Sequence, residues 1–154
     1  LKKLPVILPK DALPIKGTMS WAGDVAKMLS RLIFNPVAKK EAYTVATAEN
    51  HAWQEIAKFY NEIIGLEYVT VDTDTYLSVF GDGIVNAGYQ LKFDRYYNRV
   101  IDNSKVLKAT GLRQEDFMPL RKGLEKELTS LPKDVAWAET PINNKMDDIL
   151  KNVL

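Results

Sequence analysis

The sequence predicts a small mixed α/β lobe, rich in helices and with only short strands between them. Three observations carry this expectation. Apolar residues recur at helical spacing in several separate stretches, β-branched runs stay only a few residues long, and proline, glycine or a capping side chain marks most boundaries. The 154 residues are 46% hydrophobic, 27% charged and 10% aromatic, which suits one ordinary soluble domain spanning 1–154. A chain of that length buries roughly 70% of the surface its unfolded form exposes, enough for a core without disulfide or structural metal.

From the start, Pro5, Pro9 and Pro14 surround the apolar run Val6-Ile7-Leu8, so 4–15 reads as a short edge strand followed by extended loop. Asp24 then precedes a stripe of Val25, Met28, Leu29, Leu32 and Ile33, which predicts a helix capped by Asp24 and stopped before Pro36. Tyr43 to Val45 reads as a short strand, and Thr47 to His51 as a polar turn. A second helix puts Trp53, Ile56, Ala57, Tyr60, Ile63 and Ile64 on one aromatic-rich side, and Gly65 ends it where a left-handed residue is wanted. Glu67 to Val71 is a strand by its β-branched content, and Asp72 caps a short helix reaching Leu77. Gly81-Asp82-Gly83 marks a turn. The stretch 89–101 leaves its secondary structure open. Asp102 and Asn103 cap a helix that stops at Gly111-Leu112. Pro119 opens the next, carrying Leu120, Leu124 and Leu128, and Thr140-Pro141 opens the last, with Ile142, Met146, Ile149, Leu150 and Val153 as its stripe.

Several function classes drop out on composition. Cysteine is absent, which excludes thiolate zinc, iron–sulfur and thiol-nucleophile chemistry and agrees with a reducing, cytoplasmic setting. Twenty-one Lys and Arg oppose twenty Asp and Glu, so no overall field draws the chain to nucleic acid or to an anionic membrane. No apolar run approaches a membrane helix in length. Leu1 is not a translation start, so a fragment of a longer chain is expected.

The chemistry candidates are few. Gly81-Asp82-Gly83 imitates the opening of a dinucleotide-binding loop but lacks its third glycine, and a plain turn is the stronger reading. Asp72 and Asp74 are better explained as caps than as a metal pair. His51 is the sole histidine, enough for a general base but not for a metal site or an independent triad, and a capping or surface role is the commoner outcome. Trp21, Trp53 and Trp137 read as core or interface. The cluster Lys92, Arg95, Tyr96 and Arg99 is the strongest binding candidate, because guanidinium groups grip phosphate or carboxylate bidentately and aromatic rings stack on sugars or bases. A solvated face balanced by Asp94 and Asp102 is its plain alternative.

Taken in order, Gly23-Asp24-Val25-Ala26, then Glu41-Ala42-Tyr43-Thr44-Val45-Ala46, then Ala52-Trp53-Gln54-Glu55-Ile56 resemble successive blocks of the extended short-chain dehydrogenase/reductases, the NAD-dependent epimerase/dehydratase family. Asp102-Asn103-Ser104-Lys105-Val106 with Ala109-Thr110-Gly111-Leu112 resembles that family's "D-x-S-K-A-x-x-x-L-G" helix, and Pro119-Leu120 with Gly123-Leu124 its closing "P-x-x-L-x-x-G-L". The resemblance runs from about Lys16 to Leu128 and covers the family's carboxyl-terminal, substrate-binding part. It implies a lobe without the full Rossmann sheet, binding a small molecule of sugar or nucleotide-sugar type through Lys92, Arg95, Tyr96 and Arg99. The family's glycine-rich loop and its Tyr-x-x-x-Lys pair are both absent, so NAD or NADP would belong to a missing amino-terminal Rossmann half. The chain alone is expected to hold no cofactor, to be inactive, and to self-associate through the face left uncovered. Where nucleotide-sugar members carry a diphosphate-holding arginine, seven residues before the "DVA" aspartate, this chain has Gly17. The alternative function is a stand-alone carbohydrate- or phosphate-binding or protein-interaction module.

Overall fold

Val6–Pro9 forms strand β1, whose alternate residues Ile7 and Pro9 turn inward and are buried. In this computed structural model, which describes residues 4–132 and 138–154, β1 pairs in parallel with β4, Tyr68–Val71, in the register Val6 to Tyr68 through Pro9 to Val71. Between them lie β2 at Lys16–Gly17, helix α1 at Ala22–Leu32, β3 at His51–Ala52 and helix α2 at Trp53–Ile64. The strands β2 and β3 pair antiparallel, Lys16 opposite Ala52 and Gly17 opposite His51. After β4 come α3 at Thr73–Ser78, α4 at Ile84–Gln90, a π-helical turn at Leu91–Arg95, α5 at Ser104–Thr110, α6 at Leu120–Ser130 and α7 at Pro141–Val153. The helix-rich mixed α/β architecture expected from the sequence is present, with two two-stranded sheets among the described residues.

Two apolar centres hold these elements. Ile7 of β1, Val71 of β4, Val79 and Leu150 of α7 form one, with Tyr76, Phe80, Met146 and Ile149 packed against it. Met28 of α1, Val106 of α5, Leu112 and Phe117 form the other, flanked by Leu32, Tyr43, Val45 and Leu107. The first joins the carboxyl-terminal helix to the parallel strand pair, and the second closes α1 onto α5.

Most terminal signals act as their chemistry dictates. Asp72 accepts from Thr75 N–H at 2.9 Å and starts α3, and Thr140 Oγ1 accepts from Asn143 N–H at 3.2 Å and starts α7. Gly65 and Gly111 close α2 and α5 at φ 68° and 65°, the left-handed region that glycine enters without a Cβ penalty. Asp102 caps from one position further out, accepting from Ser104 N–H at 2.9 Å.

Two expectations are corrected. Asp24 is not the cap of α1: the helix begins at Ala22 with Trp21 before it, and Asp24 turns inward, 1% exposed. There Oδ2 accepts from Met118 N–H at 2.7 Å and Oδ1 from Lys27 Nζ at 3.1 Å. Tyr43 to Val45 is not a strand. With no neighbouring edge to supply ladder hydrogen bonds, its alternation serves instead to place Tyr43 and Val45 against the second core. No helix among the described residues is long and apolar enough to cross a membrane.

Candidate functional site

The short β2–β3 ladder organises the site. Trp53 N–H donates to Ile15 O at 3.1 Å and Gln54 N–H to Leu13 O at 3.1 Å, which pins the start of α2 against the loop leading into β2. On the other side of β2, Arg99 N–H donates to Lys16 O at 2.9 Å, Lys16 N–H to Asn98 Oδ1 at 2.8 Å, and Thr18 Oγ1 to Arg99 O at 3.3 Å. The extended chain at 98–99 is thereby laid along β2, facing α2.

A cavity of about 380 Å³ opens between these pieces. Val6 and Leu8 of β1 with Tyr68 of β4 form one side, Trp53, Ile56 and Tyr60 of α2 another, and Thr18 and Met19 a third. Arg95 and Arg99 supply its cationic edge. Asp94 Oδ2 lies 3.3 Å from Arg95 Nε and 3.5 Å from Arg99 Nη1, so one carboxylate orients both guanidinium groups. Arg99 Nε is buried with no acceptor among the described residues, a costly state for a charged donor.

Gly17 makes this arrangement possible. A Cβ built there would stand 3.2 Å from Arg99 Nη2, tighter than an ordinary van der Waals contact, so the guanidinium occupies room that a side chain at 17 would take. The bare Cα at 17 thus lets Arg99 pack there from another segment.

Of the four residues singled out in the sequence, Arg95 and Arg99 meet at the cavity and the other two do not. Tyr96 hydroxyl is hydrogen-bonded to Thr73 Oγ1, on the side of α3. Lys92 lies over a separate open hollow beside Tyr89 and Phe93, where Val85, Tyr89 and Phe93 form an exposed apolar row. The aromatic wall of Trp53, Tyr60 and Tyr68 was missed as a ligand surface. Trp53 and Tyr60 share the stripe that identified α2, and a stripe alone does not distinguish core from cavity. Trp21 donates to Glu127 Oε1 at 2.7 Å and carries Lys126 Nζ 4.3 Å from its ring centre, whereas Trp137 lies outside the described residues.

His51 Nε2 lies 2.8 Å from Glu49 Oε1 and Nδ1 3.5 Å from Glu55 Oε2, with Phe59 edge-on to its ring. Glu49 also accepts from Leu120 N–H at 2.8 Å, so the cluster braces β3 against α2 and α6. The Ala52 N–H held by Glu55 keeps that carboxyl below its usual range. No group of three or more His, Cys, Asp or Glu able to hold a metal occurs among the described residues.

Gly81–Gly83 does not form a dinucleotide-binding loop. Gly81–Gly83 is a 3₁₀ turn that follows helix α3, not a strand, and a Cβ on Gly81 would meet Lys145 Nζ at 2.7 Å. No protein-family model, curated protein or solved structure matches the chain.

Proposed function

We propose that the chain is the substrate-binding portion of an NAD(P)-dependent epimerase, dehydratase or reductase, and that its cavity holds an anionic substrate. The observation that carries this is the convergence of Arg95 and Arg99, oriented by Asp94, on one edge of a cavity walled by α2 and the parallel strand pair. Guanidinium pairs of this kind recognise phosphate or carboxylate with direction as well as charge. The ordered motif blocks from Lys16 to Leu128 supply the enzyme class. Within the described residues the work is binding and orientation: the arginines fix the anion and the aromatic wall fixes the body attached to it. Cofactor and acid–base groups would come from outside this chain.

The test is to express the full reading frame that contains this segment and to measure NADH and NADPH binding for it and for the isolated chain. Binding by the full product alone is expected. A folded full-length protein that ignores both nucleotides overturns the enzyme assignment.

A further inference from the structure

The body of the ligand is constrained by what the cavity lacks. A sugar ring carries a hydroxyl on most of its carbons, and each hydroxyl taken out of water needs a donor or acceptor to replace it. The cavity lining includes no asparagine, glutamine, aspartate, serine or histidine among the described residues, and its one carboxylate, Glu67, is exposed to solvent. Its uncharged polar side chains are Thr18, already bonded to the backbone at Arg99, and the phenols of Tyr60 and Tyr68. Val6, Leu8, Ile56 and Trp53 make up much of the rest. Against this stand two guanidinium groups held by Asp94, one with a buried Nε that has no acceptor among the described residues.

From this pairing we infer that the site selects an organic anion with an apolar or aromatic body, a phosphate or carboxylate attached to a ring or branched hydrocarbon, over a sugar phosphate. The inference rests on the proposal that the cavity binds an anion, and narrows it. The oxyanion meets the exposed part of the Arg99 guanidinium, with Arg95 beside it. The hydrocarbon lies along Trp53 and Ile56, where apolar burial contributes free energy that a hydroxylated ring would lose.

Calorimetric titration of the chain with phenyl phosphate, phenylacetate, glucose 1-phosphate, inorganic phosphate and benzyl alcohol tests it. Phenyl phosphate or phenylacetate is expected to bind about tenfold or more tighter than glucose 1-phosphate, the margin set by burying one aromatic ring. Which of the two binds better decides between phosphate and carboxylate. Benzyl alcohol is expected to be weaker than either, and Arg99→Gln is expected to remove most of the difference between the anions and the alcohol. Glucose 1-phosphate binding as tightly as phenyl phosphate overturns the apolar-body inference while leaving the anion site intact. If benzyl alcohol equals the anions, or if none of the five binds, the anion site itself falls and the inference with it. The comparison among ligands uses the unaltered chain, so it stands whether or not the Arg99 variant folds.

Discussion

Asp24 offers the sharpest check on how the second core is held together, because it is buried, charged and bonded across the fold. It lies in the first turn of α1, where the helix dipole favours a carboxylate, and ties that turn to the loop before α6 through Met118 N–H at 2.7 Å. Lys27 completes the bridge, donating to Asp24 Oδ1 at 3.1 Å and to Asp116 O at 2.7 Å. Asp24→Ala leaves the Met118 N–H without its acceptor and Lys27 without its counter-charge, at a cost of about 2–4 kcal/mol. Asp24→Asn keeps one oxygen able to accept from Met118 and loses mainly the ion pair. The Lys27 side chain is 40% exposed, so that pair contributes little and the cost is about 1 kcal/mol. Urea denaturation at neutral pH measures both, and melting should fall by about 2–4 °C per kcal/mol in a chain of this size. An alanine variant within about 0.5 kcal/mol of the parent, or an asparagine variant that costs as much as alanine, refutes the assignment of Asp24 as an inter-element tie.

Two further outcomes follow from the packing and the caps. Leu150→Ala should cost about 2–5 kcal/mol in the same assay, since Leu150 is 2% exposed in the core that joins α7 to β1, and a cost below about 1 kcal/mol would mean that α7 is not docked there. The Thr75 N–H and the Ser104 N–H hold the carboxyls of Asp72 and Asp102 below their ordinary values. A depressed folded-state pKa stabilises above the unfolded value of about 3.9 and ceases to do so as pH falls through the folded one. The double variant Asp72→Asn, Asp102→Asn should therefore lose less stability than the parent between roughly pH 5 and pH 3, read as the acid limb of a pH–stability curve; an unchanged limb would count against these caps as a source of acid sensitivity.

The legible parts of the fold are those that local chemistry decides. The stripes of α1, α2, α6 and α7 are legible because an amphipathic period three turns long has one stable outcome against a core. The strand at Tyr68–Val71 came through for its β-branched content, although its partner, sixty residues earlier in the chain, could not be read. The run Tyr43 to Val45 shows the reverse: strand-like residues stay unpaired when no edge lies beside them, and β2 and β3, two residues each, carry no pattern long enough to detect.

The candidate site divides in the same way. Lys92, Arg95, Tyr96 and Arg99 fall at i, i+3, i+4 and i+7, which a regular α-helix would gather on one face. The π-helical turn at Leu91–Arg95 breaks that period, and Arg99 returns on extended chain held by Lys16. Only Arg95 and Arg99 therefore reach the cavity. By itself, then, the sequence determined the helix-rich class, most element types, the caps of α3 and α7, the glycine stops of α2 and α5 and the presence of a basic aromatic cluster, all set by neighbours within a few residues. Tertiary structure decided which arginines meet, that Gly17 leaves room for one of them, and that Trp53 lines a cavity, because each depends on segments brought together across the chain.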